Sequence, residues 1–140
     1  MILKYQHALI VGAGSGLSAS LAKVFVDQGL RVTMAARTVD DLKPLCREIG
    51  ATALVCDATD ENGVVELFVT LDESPPDVVI YNPSARERGP FVGLDAAGVK
   101  QGLMVTAYGG FVVAQEAVKR MIPNRHGAVL FTGASASVKG

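Results

Sequence analysis

The chain has 140 residues, 49% of them hydrophobic and 19% charged, and a formal net charge of -1 at neutral pH. That is enough apolar material for the core of one domain, and a charge this close to zero gives no electrostatic case for nucleic acid or an acidic membrane surface. No apolar stretch reaches the ~18 residues of a membrane span, and the start M-I-L-K-Y-Q-H lacks the basic region and long apolar core of a secretory signal.

Residues 7–11 (H-A-L-I-V) form a short apolar run closed by Gly12, the pattern of a strand buried on both faces. Residues 17–28 put Leu17, Leu21, Val24 and Phe25 on one face of a helix, with Gly29 as its stop. Residues 31–36 (R-V-T-M-A-A) read as the second strand. Thr38 is placed to cap a helix over about 39–49, and Pro44 inside that span predicts a kink or a later start. Residues 52–56 (T-A-L-V-C) form the third strand. Asp57 and Thr59 then lead into a helix over 60–71, with Val64, Leu67, Phe68 and Leu71 inward. Ser74-Pro75-Pro76 turns into a fourth strand, 77–81 (D-V-V-I-Y). A loop rich in Arg, Gly and Pro follows, and then a long helical region from Leu94 to Met121. Residues 123–127 (P-N-R-H-G) turn the chain into a fifth strand, 128–132 (A-V-L-F-T).

Strand alternating with helix five times implies one α/β domain over residues 1–140. Its fold is a doubly wound, Rossmann-type parallel sheet, five strands in the order 3-2-1-4-5, with helices on both faces. Ligands of such sheets bind beyond the carboxyl ends of the strands, where the winding reverses. The stretch V-G-A-G-S-G-L-S (11–18) lies there, with three glycines between a buried strand and an amphipathic helix. Gly12 is free to leave the strand at positive φ, and Gly14 and Gly16 admit a pyrophosphate close to the backbone. The amides and dipole of the helix then face that anion.

The spacing is Gly12-x-x-x-Gly16-x-Ser18; Leu17 stands where G-x-G-x-x-G would have its third glycine. It resembles the T-G-x-x-x-G-x-G of the short-chain dehydrogenase/reductase family, with Ser18 in the last glycine's place and a slightly looser helix packing expected there. Other motifs match in order. C-D-A-T-D carries Asp57, Y-N-P-S-A carries Asn82 on the second asparagine of the family's N-N-A-G, and Tyr81, Pro83 and Ser84 depart from it. T-A-Y-G-G-F-V-V-A-Q-E-A resembles the family's N-V-x-G helix, with Thr106 in place of the asparagine that supports proton relay. H-G-A-V-L-F-T-G-A-S-A-S resembles the fifth strand and the serine-bearing loop after it.

The resemblance implies the cofactor-binding part of an oxidoreductase that interconverts an alcohol and a carbonyl. It assigns Gly12, Ser15, Gly16 and Leu17 to the pyrophosphate, Asp57 and Ala58 to adenine, and Asn82 and Ser84 to the ribose region. An ungapped alignment from Gly127 puts Ala134 in the serine's place; Ser135, one step on, takes the substrate-orienting role, with Ser137 as the alternative. The family's Y-x-x-x-K pair would follow about a dozen residues later. None of Tyr5, Tyr81 and Tyr108 has a lysine four residues on, so residues 1–140 alone lack the acid–base pair.

An NAD site carries an acid about 20 residues beyond the glycines. Here Ala35-Ala36-Arg37-Thr38 stands at that point, and Asp40 and Asp41 come too late. Arg37 offers a planar fork to a 2′-phosphate, with Thr38 and Ser15 adding hydroxyls, so NADP(H) is preferred and NAD(H) is the alternative. The partners expected are a small-molecule alcohol or carbonyl and further copies of the chain through the helix 105–121. Tyr108, Phe111, Val112 and Val118 there supply apolar area, and Gly109 and Gly110 invite a neighbouring helix. A cytoplasmic protein is expected, with Cys46 and Cys56 as reduced, buried thiols and no metal at His7 or His126. The other readings are a non-catalytic dinucleotide-binding module and a structural subunit that completes its sheet with another chain.

Overall fold

The computed structural model describes residues 4–139. Five parallel strands, β1 (His7–Val11), β2 (Arg31–Ala36), β3 (Thr52–Val55), β4 (Val78–Tyr81) and β5 (Ala128–Phe131), pair in the order β3-β2-β1-β4-β5. In register, Val11 lies between Ala35 and Tyr81, and Tyr81 beside Phe131. The carboxyl ends of the central strands are therefore level, and the loops that leave them gather in one place.

All five residues of β1 and all four of β4 are buried, as a parallel sheet covered on both faces requires. Alternation along the strands divides the core in two. Ala8, Ile10, Val32, Met34, Val78 and Ile80 pack on helices α1 (Leu17–Asp27) and α2 (Lys43–Ile49). Leu9, Val11, Ala35, Val79 and Tyr81 pack on α3 (Glu61–Thr70) and α5 (Gly109–Asn124). Cys46 and Cys56 are free thiols in opposite clusters, so the sheet separates them. On the outer strand β5, Leu130 and Phe131 are exposed.

The inward face of α1 differs from the periodicity. Leu17 and Val24 are exposed, and Ser18 and Ala22 are buried, flanked by Leu21 and Phe25. Two small residues let the helix start close to β1, which a face led by Leu17 would not. Thr38 does not cap a helix either. α2 begins only after Leu42, with Pro44 in its first turn, where a missing N–H costs nothing. The Asp40 carboxylate holds Lys43 at 2.6 Å in the turn between. α3 has the expected inward residues and is capped by the Asp60 side chain, which accepts from the Asn62 amide.

The long helical region comprises α4 (Ala96–Leu103), a π turn (Met104–Tyr108) and α5. It continues through Pro123, where a turn is expected to start, and ends at Arg125 with φ 49°. A proline in the last turn forfeits only the bond to the Lys119 carbonyl. Gly109 and Gly110 are buried and face inward. A Cβ on Gly109 would run into the Tyr81 hydroxyl and lie 2.8 Å from the Ala58 carbonyl oxygen. Val112 is buried as well. These three residues serve the chain's own core and offer nothing to a neighbouring helix.

Candidate functional site

A cavity of about 430 Å³ opens at the carboxyl end of the sheet. Gly12, Ala13, Arg37, Thr38, Asp57, Ala58, Asn82, Pro83 and Ser84 line it from the four strand-end loops. Seven of these are residues singled out from the sequence: Gly12, Arg37, Thr38, Asp57, Ala58, Asn82 and Ser84. Ser15, Gly16 and Leu17 are exposed just beyond its rim, at the start of α1. Ser135 is not in the lining. Its carbonyl accepts from the Val138 and Lys139 amides at the start of the short helix α6 (Ala136–Lys139).

The glycine turn is built by β1 and held by its neighbours. Gly12 takes φ +78°, and its amide and that of Ala13 both donate to the Ala35 carbonyl, at 2.9 and 3.0 Å. The chain therefore leaves β1 while still tied to β2. Gly12 also abuts Pro83, whose ring occupies the space a Cβ would need. Gly14 and Gly16 face open space instead. Beyond them, the amides of Ser15, Gly16, Leu17 and Ser18 make no hydrogen bond to a described residue. The first turn of α1 has no acidic residue and no side-chain cap. Four donors and the positive end of a helix dipole are thus left without a partner among the described residues, which is the physical requirement of an anion site.

Ser18 is buried, and its hydroxyl accepts from Asn82 Nδ2 at 2.8 Å. Asn82 Oδ1 in turn accepts from the Thr132 hydroxyl at 2.8 Å, and the Asn82 amide donates to the Val11 carbonyl at 2.9 Å. One asparagine thereby ties α1, β1, β4 and the end of β5 together. Ser18, in the place of the family's glycine, tightens this corner where a looser packing was expected.

On the other side of the cavity the Arg37 guanidinium and the Thr38 hydroxyl are exposed and make no hydrogen bond among the described residues. Asp57 Oδ1 accepts from the Thr59 amide and hydroxyl, at 2.9 and 2.8 Å. These bonds, with Arg37 adding to them, hold the carboxyl below its ordinary range, so it is an anion at neutral pH. Cys56 lies at the cavity floor, and burial pushes its thiol up to about 11.

Gln101, Val105 and Ala85 also line the cavity. Sequence reasoning did not find the first two; the one sign available was that they lie one helical turn apart, just before Thr106. The Thr106 hydroxyl donates to the Ala85 carbonyl at 3.0 Å and lies 3.2 Å from the Ala85 amide. His7 is buried at the opposite end of the sheet, with Nδ1 on the Ser74 carbonyl at 2.6 Å and Nε2 on the Thr33 hydroxyl at 2.9 Å. Among the described residues His126 Nε2 has no hydrogen-bond partner, and the Asp77 carboxylate lies 3.7 Å from it. Among the described residues no group of His, Cys, Asp and Glu is arranged to hold a metal, and no helix is long and apolar enough to cross a membrane.

The family model for short chain dehydrogenases matches residues 6–140. The chain belongs to that family. Among its relatives, (+)-borneol dehydrogenase 1 of Salvia officinalis is 27% identical over 141 residues, an alignment that covers 96% of this chain and 54% of that protein. The solved structure of a putative gluconate dehydrogenase from Agrobacterium tumefaciens superposes with a TM-score of 0.89 at 26% identity, over 96% of this chain and 56% of that one. A metagenomic short-chain oxidoreductase in complex with NADP has the same fold, with a TM-score of 0.89 at 22% identity, over 96% of this chain and 65% of that one. The chain thus spans about half the length of the curated relatives it matches, between 50% and 54% of four of them.

Proposed function

We propose that this chain is the dinucleotide-holding part of an NADP(H)-preferring oxidoreductase that interconverts an alcohol and a carbonyl. The observation that carries this reading is the run of amides from Ser15 to Ser18, unpaired among the described residues, beside a cavity whose far wall holds the exposed Arg37 guanidinium. A diphosphate fits the first feature and a 2′-phosphate the second.

In this reading Gly12, Ser15, Gly16 and Leu17 hold the diphosphate through backbone amides. Arg37 and Thr38 take the 2′-phosphate, and Asp57 and Ala58 flank adenine. Ser84 and the backbone of Asn82 meet the ribose region, since the Asn82 side chain is already engaged by Ser18 and Thr132. Bound nicotinamide supplies the hydride. Ser135 is the substrate-orienting residue of the reading, and the proton donor belongs to a Y-x-x-x-K pair outside residues 1–140. A cytoplasmic location goes with the reduced state of Cys46 and Cys56.

We infer a homo-oligomer through the helix 105–121. The support is now Tyr108, Phe111 and Val118, which stay exposed, with Leu130 and Phe131 on the outer strand. The glycines of that helix lend it none. Sedimentation that shows only monomer at high concentration contradicts this inference.

The cofactor reading is tested by Arg37→Asp. A charge-assisted contact to phosphate is worth about 1.5–3 kcal/mol. NADPH affinity therefore falls by about 10- to 150-fold, and NADH affinity stays level or improves. An unchanged ratio of the two affinities refutes the 2′-phosphate assignment.

A further inference from the structure

The π turn sits in the middle of a continuous helical run, and something must hold it there. Gly109 donates its amide to the Met104 carbonyl, five residues back. In an α-helix that amide would serve Val105, four residues back. The Val105 carbonyl accepts instead from the hydroxyl of Tyr81, at the end of β4. Tyr81 is 3% exposed, so its hydroxyl needs a partner inside the protein.

Two glycines make the approach feasible. Gly109 leaves room for the hydroxyl, and a Cβ on Gly110 would stand 3.4 Å from Tyr81 Cδ1 and Cε1. On its other side the helix rests on the loop after β4. Gly102 comes close enough that a Cβ would be 3.0 Å from the Ala85 carbonyl oxygen, and Thr106 bonds that same carbonyl. Val105, Gln101 and Ala85 are the wall of the cavity on that side.

A wide turn contains one residue more than an α turn. That surplus residue is not bound to one position by the helix itself, because shifting it along exchanges one i→i+5 bond for another. Each step of such a shift turns the intervening side chains by roughly 100° about the axis. An acceptor offered at one carbonyl only, to a donor fixed on the sheet, removes that freedom.

We propose that Tyr81 is a positioning residue: its hydroxyl, bound to the Val105 carbonyl, pins the wide turn and so fixes Val105 and Thr106 in register against the Ala85 loop. Burial pushes the Tyr81 phenol up to about 12, so the donor keeps its proton at any working pH. The consequence for ligand affinity rests on the proposed dinucleotide reading; the pin itself does not.

The test uses Tyr81→Phe, which keeps the ring and removes the donor. In the chain without added ligand, hydrogen exchange at the Gly109 and Gly110 amides is expected to rise by about 5- to 10-fold, the effect of one lost net hydrogen bond. In the unsubstituted chain the Tyr81 hydroxyl proton is expected to exchange slowly and to correlate with the Val105 carbonyl carbon. The absence of that signal overturns the pin without any variant. In NADPH titrations followed by fluorescence, Tyr81→Phe and Thr106→Val each raise Kd by about 5- to 10-fold. The double variant binds no worse than the weaker single one, because Tyr81 acts through the register of Thr106. Additive losses, or Gly109 exchange unchanged in Tyr81→Phe, overturn the proposal. If the unsubstituted chain does not bind NADPH, the dinucleotide reading falls, and the exchange result alone still decides the pin.

Discussion

Gly12 and Gly14 belong to one turn but face different demands, and alanine at each separates fold from ligand. At Gly12 a Cβ would lie 2.5 Å from Pro83 Cδ and Cγ and closer still to its nitrogen, and φ is +78°. Left-handed backbone costs alanine about 1–2 kcal/mol, and relieving an overlap with a packed ring and backbone costs about 1–3 kcal/mol. Gly12→Ala should therefore destabilise the chain by roughly 2–5 kcal/mol, a large part of the ~5–15 kcal/mol that holds a domain together. At Gly14 nothing lies within 4 Å of a Cβ and φ is not left-handed, so Gly14→Ala should stay within about 0.5 kcal/mol of the parent. It should nonetheless weaken NADPH binding, because the methyl enters the space assigned to the diphosphate. Urea unfolding followed by circular dichroism reads both. With a slope of about 2 kcal/mol/M the Gly12→Ala midpoint falls by about 1–2.5 M. A Gly12→Ala midpoint equal to the parent's, or a Gly14→Ala variant as unstable as Gly12→Ala, refutes the division of labour.

Asn82→Ala removes two side-chain hydrogen bonds and leaves the buried Ser18 hydroxyl without its donor. It should cost about 1–3 kcal/mol in the same urea assay, and a neutral result contradicts the corner's role. The buried His7 has its pKa lowered mainly by desolvation, with Arg31 adding to this and the Ser74 carbonyl and Asp77 opposing it. The unfolded chain then binds the proton more readily, so His7's contribution is complete above about pH 6.5 and is lost as pH falls through the folded-state value. Unfolding free energies at pH 7.5 and 5.5 should differ more in the parent than in His7→Gln; an equal difference contradicts the neutral, buried imidazole. Cys56, with its thiol pushed up to about 11, should resist iodoacetamide at pH 7.5 and react fully in urea; rapid native labelling contradicts the buried floor of the cavity.

The sheet was legible because parallel strands buried on both faces write themselves as unbroken apolar runs, as His7–Val11 and Val78–Tyr81 do. The first helix was legible in extent but not in orientation. Periodicity counts large apolar residues, whereas the close approach of α1 depends on the small Ser18 and Ala22. Gly109 and Gly110 carried a true signal, close approach, with the wrong partner: a tyrosine across the core instead of a second helix. Thr38 had the chemistry of a cap, but the Asp40–Lys43 turn intervenes before α2. At the cavity, the strand-end loops were readable because each carries a motif next to its strand. The wall from Gln101 and Val105 was not, since it depends on where a π turn falls, and that is decided by Tyr81 some 24 residues away in sequence.

The central claim is that the front of α1 grips a diphosphate. A crystal structure of this chain grown with NADP measures it directly. The account predicts diphosphate oxygens about 3 Å from the amides of Ser15, Gly16 and Leu17, with the 2′-phosphate on the Arg37 guanidinium. A dinucleotide bound elsewhere, or a complex that never forms while those amides find partners within the protein, contradicts it.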